Sequence, residues 1–128
     1  AMAPGTHGST FGGNPLATAV GNAVLDVMLE PGFMAGVEAK AKALRKGLDA
    51  LALKHPEMIV ETRGLGMMIG VKVTPPVGDV INALREKKLL TVPAGDNMVR
   101  LLPPLIVEQA QIDEALAALD AVLGEMTP

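Results

Sequence analysis

The sequence predicts an α+β fold in which helices pack over a small sheet, in the order α-α-β-β-α-β-β-α. Three observations predict it. Apolar residues recur at helical spacing in four stretches. Between them the period shortens to strand-like runs, and Gly and Pro clusters fall at the joins. No repeat or linker interrupts the order.

The first stretch, Leu16 to Leu29, carries Val20, Val24, Val27 and Met28 at helical spacing behind an N-cap pair, Asn14-Pro15. Glu30-Pro31-Gly32 stops it. In the second, Phe33, Val37, Ala41, Leu44, Leu48 and Leu51 form one stripe, and Glu38, Lys42, Arg45, Lys46 and Asp49 lie on the other face. His55-Pro56 ends it, because a residue before proline is driven out of the helical region. Met58 to Arg63 and Met67 to Val73 read as two strands around a turn at Gly64-Leu65-Gly66. Thr74-Pro75-Pro76 breaks the second.

Val77 to Lys88 reads as a helix buried through Val80, Ile81 and Leu84. Leu89 to Val92 is the third strand, Pro93-Ala94-Gly95-Asp96 a turn, and Asn97 to Leu102 the fourth strand. Pro103-Pro104 closes it. The last helix runs from about Glu108 to Gly124, with Ile112, Leu116, Leu119 and Leu123 along its stripe.

At 128 residues the chain is long enough to bury one core unaided. Apolar residues make up 49% of it with only two aromatics, Phe11 and Phe33, so that core is aliphatic. The absence of cysteine excludes disulfides and thiolate metal sites and fits a reducing, cytoplasmic setting. The net charge is −3 and the eleven Lys and Arg are scattered, which argues against a nucleic-acid surface. The most apolar run, Pro15 to Leu29, carries Asn22 and Asp26 and is too short to span a bilayer.

The strongest chemical signal is Gly5-Thr6-His7-Gly8-Ser9-Thr10-Phe11-Gly12-Gly13, a glycine-rich hydroxyl loop entering a helix. Exposed amides, the Ser9 and Thr10 hydroxyls and the positive end of a helix dipole suit a phosphate. A well-capped helix after a flexible turn is the alternative. His7 could serve as base or ligand, but the sequence offers it no partner. A loop histidine satisfied by backbone is the other reading.

Arg100 lies at an apolar strand end, Met98-Val99-Arg100-Leu101-Leu102-Pro103-Pro104, where its planar fork requires an anionic partner. That partner is either a substrate carboxylate or a structural one. Arg63, before Gly64, reads as a turn anchor. No Ser-His-Asp set, Cys-His pair or metal-spaced carboxylate cluster can be assembled, so neither a catalytic residue nor a metal site is predicted. A glycine-rich loop met only a few residues from the N-terminus makes the chain read as the tail of something larger. Ala1-Met2 are set aside as native or foreign.

Three ordered segments carry a resemblance. His7 to Ala17, Arg63 to Gly70, and Leu90 to Leu105 resemble successive motifs of the class III (ornithine-type) aminotransferases, which use pyridoxal 5′-phosphate. The resemblance implies the C-terminal small domain of a fold-type I enzyme over residues 14–128, with residues 1–13 a loop of the missing large domain. By resemblance Thr10 bonds the cofactor phosphate of a neighbouring subunit, Ser9 lies beside the substrate, and Arg100 binds a substrate carboxylate. The catalytic lysine lies upstream, so no residue of this chain is assigned as catalytic and the chain alone is expected to be inactive.

The implied reaction moves an amino group from N-acetylornithine to 2-oxoglutarate in arginine biosynthesis, within a cytoplasmic homodimer. Succinylornithine, ornithine or 4-aminobutyrate are alternative donors. A freestanding, non-catalytic anion-binding module is the alternative of another class. Two positions depart from the family pattern: Lys88 stands where glycine is common after the helix, and Glu108 where Ser, Thr or Asp would cap better.

Overall fold

A computed structural model describes residue 5 and residues 7–127. Ala1-Met2 and Thr6, the third hydroxyl of the loop, lie outside the described residues. The backbone divides into two compact units, residues 1–34 and 35–128.

In the first unit, α1 (Pro15–Met28) starts where the sequence predicts. Asn14 caps it, its Oδ1 accepting the Ala17 N–H at 3.0 Å, with Pro15 at the first helical position. Its apolar residues have the predicted period, but none is buried.

The second unit holds α2 (Phe33–Lys54), β1 (Ile59–Leu65), β2 (Met68–Val73), α3 (Val77–Glu86), β3 (Val92–Ala94), β4 (Met98–Leu101) and α4 (Gln109–Glu125), with α2 beginning at the boundary. The strands form one antiparallel sheet in the order β1-β2-β4-β3. The predicted α+β order holds throughout.

Alternation along the strands separates two faces. Ile69, Val71, Val73, Val99 and Leu101 are buried on the helix side. They meet the predicted stripes: Val37, Ala41, Leu44, Leu48 and Leu51 of α2, and Val80, Ile81 and Leu84 of α3. From α4 come Ile112, Leu119 and Leu123, joined by Val122. Leu116, expected in that stripe, is half-buried; its side chain lies over Gly47 of α2, where a Cβ would come within 2.2 Å of its Cδ1.

Two turns differ from the sequence expectation. The hairpin turns at Gly66-Met67, since Leu65 pairs Met68 and Gly64 pairs Ile69 inside the ladder. Gly66 has φ +58, the left-handed region that a first hairpin position asks for. Gly64 is glycine for a different reason: a Cβ there would sit 2.1 Å from the Met68 carbonyl oxygen.

The third strand begins at Val92 and not at Leu89. The Lys88 N–H donates to the Arg85 carbonyl at 2.9 Å and the Leu89 N–H to the Leu84 carbonyl at 2.9 Å, a Schellman closure of α3. Leu89 therefore spends its donor on the helix end. Lys88 takes the left-handed conformation that its departure from glycine implied, with φ +64. Pro93, expected in a turn, sits inside β3; that strand is a sheet edge, where a missing N–H is tolerated.

Side chains tie the ends together. Asp120 of α4 bonds Lys54 Nζ and His55 Nε2, each at 2.6 Å, which pins the end of α2. Its carboxyl is held below the ordinary carboxylate range by those bonds, the one to Lys54 first. Glu108 caps α4 better than its type suggests, because the Gln111 side chain reaches back to accept the Glu108 N–H at 2.9 Å.

Candidate functional site

The first unit carries the hydroxyl loop. Ser9 Oγ accepts the Gly12 N–H at 2.8 Å, so this amide is committed to the loop and the Ser9 hydroxyl hydrogen remains to donate elsewhere. A Cβ at Gly12 would sit 2.8 Å from that same Oγ, which is why the fold of the loop requires glycine there. Gly13, at φ +75, turns the chain into the Asn14 cap. Thr10 is exposed, and among the described residues its hydroxyl has no hydrogen-bond partner. The loop thus offers hydroxyl groups in front of a capped helix N-terminus, a donor set that suits a phosphate. His7 is exposed as well.

The second unit carries Arg100, on the sheet face away from the helices. Cross-strand register sets it opposite Gly70, and Gly70 opposite Arg63. Residues directly opposite in an antiparallel ladder share a face, so Arg63 and Arg100 project from the same side with a glycine between them. Met98 fills the space over that glycine, where a Cβ would come within 2.9 Å of the Met98 Cε. These residues, with Gly64, Met68, Ala94 and Asp96, line an open depression of about 480 Å³.

The two arginines are not equivalent. Arg63 binds Glu61 at 3.2 Å and Asp96 at 3.5 Å, so the turn it anchors is β3–β4 and not the Gly64-Leu65-Gly66 turn that it precedes in sequence. Lys72 holds the other Asp96 oxygen at 2.9 Å. That hydrogen bond is the largest influence on the Asp96 carboxyl; burial opposes it, and the nearby charges of Lys72 and Arg63 add to it, so the carboxyl is held below its usual range. Arg100 is exposed and, among the described residues, has no ion pair or hydrogen bond. The structural salt bridge, one of its two sequence-based readings, is not made by any described residue of this chain.

Asn97 is the residue that sequence reasoning missed. At φ +55 it donates from Nδ2 to the Val73 and Pro75 carbonyls and accepts the Val77 N–H on Oδ1. It thereby joins the end of β2, the start of α3 and the strand that presents Arg100. An Asp-Asn pair after Gly95 signals a left-handed turn, but contacts twenty and more residues away leave no local trace.

Among the described residues no cluster of His, Asp or Glu could hold a metal ion, and no helix is long and apolar enough to cross a membrane.

Comparison with known proteins gives these features a context. Residues 1–123 match the family described as Aminotransferase class-III. The chain is 53% identical over 119 residues to acetylornithine aminotransferase 1 of Bradyrhizobium diazoefficiens, covering 93% of this chain and 29% of that protein. It is 56% identical over 115 residues to the acetylornithine aminotransferase of Mesorhizobium japonicum, covering 90% and 29% respectively. The chain therefore spans about three-tenths of the length of these curated relatives.

Among solved structures, acetylornithine aminotransferase from Elizabethkingia anophelis matches with a TM-score of 0.82 at 32% identity, over 98% of this chain and 34% of that one. A lysine aminotransferase from M. tuberculosis in its internal aldimine form matches with a TM-score of 0.84 at 32% identity, over 98% and 29%. Motif order, sheet topology and these similarities agree, and the chain belongs to the class-III aminotransferases.

Proposed function

We propose that this chain is the C-terminal part of an aminotransferase that moves the amino group of N-acetylornithine to 2-oxoglutarate in arginine biosynthesis. In this reading residues 14–128 are the small domain and residues 1–13 a loop of the large one. The intact enzyme is a cytoplasmic homodimer. The observation that carries the reading is the Arg100 guanidinium on an open face, unpaired among the described residues. A bidentate fork of this kind receives a carboxylate and can exchange one for another at little geometric cost. The donor rests on the likeness to acetylornithine aminotransferases.

Pyridoxal 5′-phosphate, when bound, supplies the electron sink through which an amino group is transferred. Thr10 would hold the phosphate of the neighbouring subunit's cofactor, through a hydroxyl that the loop leaves exposed. Ser9 lies beside the substrate, with its oxygen accepting the Gly12 N–H and its hydrogen without an acceptor among the described residues. Arg100 orients the substrate carboxylate through its planar fork of N–H donors.

The test is visible absorption of the protein expressed from its complete reading frame. The expected result is a cofactor band that changes on adding N-acetylornithine and returns with 2-oxoglutarate. Arg100→Lys is expected to lower kcat/KM for 2-oxoglutarate by about tenfold or more, the equivalent of roughly 1.4 kcal/mol. A bound cofactor that ignores N-acetylornithine but responds to ornithine, succinylornithine or 4-aminobutyrate would keep the family and move the donor. A complete protein that takes up no cofactor would overturn the reading in favour of an anion-binding module.

A further inference from the structure

We propose that Asp96 is a specificity-determining residue of the open sheet face: by occupying Arg63 and Lys72 it leaves Arg100, among the described residues, as the one unmatched cation of that face, so that the face receives a single carboxylate in preference to a polyanion. The inference rests on the reading of Arg100 as a carboxylate-binding residue.

The charges of this face can be followed one by one. Its cations are Arg63, Lys72 and Arg100, and its carboxylates are Glu61 and Asp96. Glu61 is bound by Arg63 alone, whereas Asp96 bridges Arg63 and Lys72 from the tip of the β3–β4 turn. With Asp96 in place, one net positive charge remains, and it lies on Arg100. Without it the net charge of these groups rises to two, with Arg63 and Arg100 lining the depression on either side of Gly70 and Lys72 beside it on the same face.

The fold itself does not ask for a carboxylate at this position. Asp96 has φ +67, a conformation that glycine or asparagine adopts at least as readily. Its two cation contacts are half-exposed, where such pairs contribute little to stability. What the carboxylate changes is the local field, and a field of this kind decides which anions settle. A carboxylate also rejects the extra charge of a polyanion directly, since Asp96 itself lines the depression.

The test uses the 128-residue chain, labelled for NMR, with propionate and citrate as probes at fixed ionic strength. The arginine Nε–Hε signals and the backbone amides of Gly70 and Arg100 are followed. In the unaltered chain propionate is expected to shift the Arg100 signals, and Arg100→Gln to abolish the response.

Asp96→Asn keeps the turn conformation and removes only the charge. It is expected to tighten citrate by about two- to fivefold relative to propionate, with new shifts at Arg63. Asp96→Gly, which also accepts the left-handed conformation, should give the same ratio and thereby separates charge from any loss of structure. An unchanged citrate-to-propionate ratio in both variants, with Arg100 still responding, would overturn the role of Asp96 and leave the Arg100 reading intact. If neither probe moves Arg100 in the unaltered chain, the Arg100 reading fails and this inference fails with it.

Discussion

Asn97 accepts the backbone N–H of Val77 on its Oδ1 at 2.9 Å, so the strand that presents Arg100 also caps the helix that follows β2. The same amide group donates to Val73 and Pro75 at 2.6 and 2.8 Å. Only a side chain carrying a donor and an acceptor on one short stem can do both. Asn97→Asp keeps the shape but replaces the donor with a carboxylate oxygen that faces two carbonyls. A loss of about 2–3 kcal/mol is expected in denaturant unfolding, and Asn97→Gly, which keeps only the backbone freedom, should lose a comparable amount.

Two glycines of α2 should respond to alanine with opposite signs. At Gly36 a Cβ meets nothing within 4 Å, so Gly36→Ala gains helix propensity and is expected to stabilise by about 0.5–1 kcal/mol. At Gly47 the same atom collides with Leu116, 2.2 Å from Cδ1 and 3.1 Å from Cγ. Gly47→Ala is expected to destabilise by about 1–2 kcal/mol, and the sign should reverse in a Leu116→Ala background. Thermal melts of the four variants check both statements.

Lys88 closes α3 in a conformation that costs a side chain about 1–2 kcal/mol. Glycine removes that cost and restores some freedom to the unfolded chain, so Lys88→Gly is expected to gain about 0.5–1 kcal/mol in a denaturant melt.

Acid should loosen the link between α2 and α4. The Asp120 carboxyl is depressed below its ordinary value of 3.8 by Lys54 and His55. A depressed acid stabilises the fold above its unfolded value and ceases to do so as pH falls through its folded one. The stability difference between the unaltered chain and Asp120→Asn is therefore expected to be full above about pH 5 and to shrink as the pH falls below 4. Urea melts across that range measure it; a difference that stays constant with pH would show that the ion pairs contribute nothing.

The helices were legible because burial imposes a period, and α2 and α3 bury the very stripes that their spacing marks. The strands were legible as runs but not to their ends. Leu89 and Leu90 have strand-like side chains, yet the Leu89 N–H is drawn back to Leu84, a backbone preference that hydrophobicity does not encode. Gly64 was legible as a special position for the wrong reason, since close approach and turning both select glycine.

At the site, Arg100 declared itself as a charge in apolar company. Asn97 did not, because its partners are brought to it only by the finished sheet. The period of α1 predicts an amphipathic helix, and that helix forms with none of its residues buried. The loop residues Ser9 and Thr10 stood out through their chemistry alone.

Both rims of the sheet carry an obstacle to a fifth strand. At one rim Pro93 stands in the middle of the three-residue β3 and has no amide hydrogen to offer an incoming chain. At the other, the β1 ladder slips at Val60, and the Gly64 carbonyl is taken by Arg45 at 2.9 Å. A bulge and an occupied acceptor break the regular row of unpaired groups that edge-to-edge pairing copies. The small sheet can therefore stay open on its charged face, accessible to a ligand, while resisting extension into a shared one.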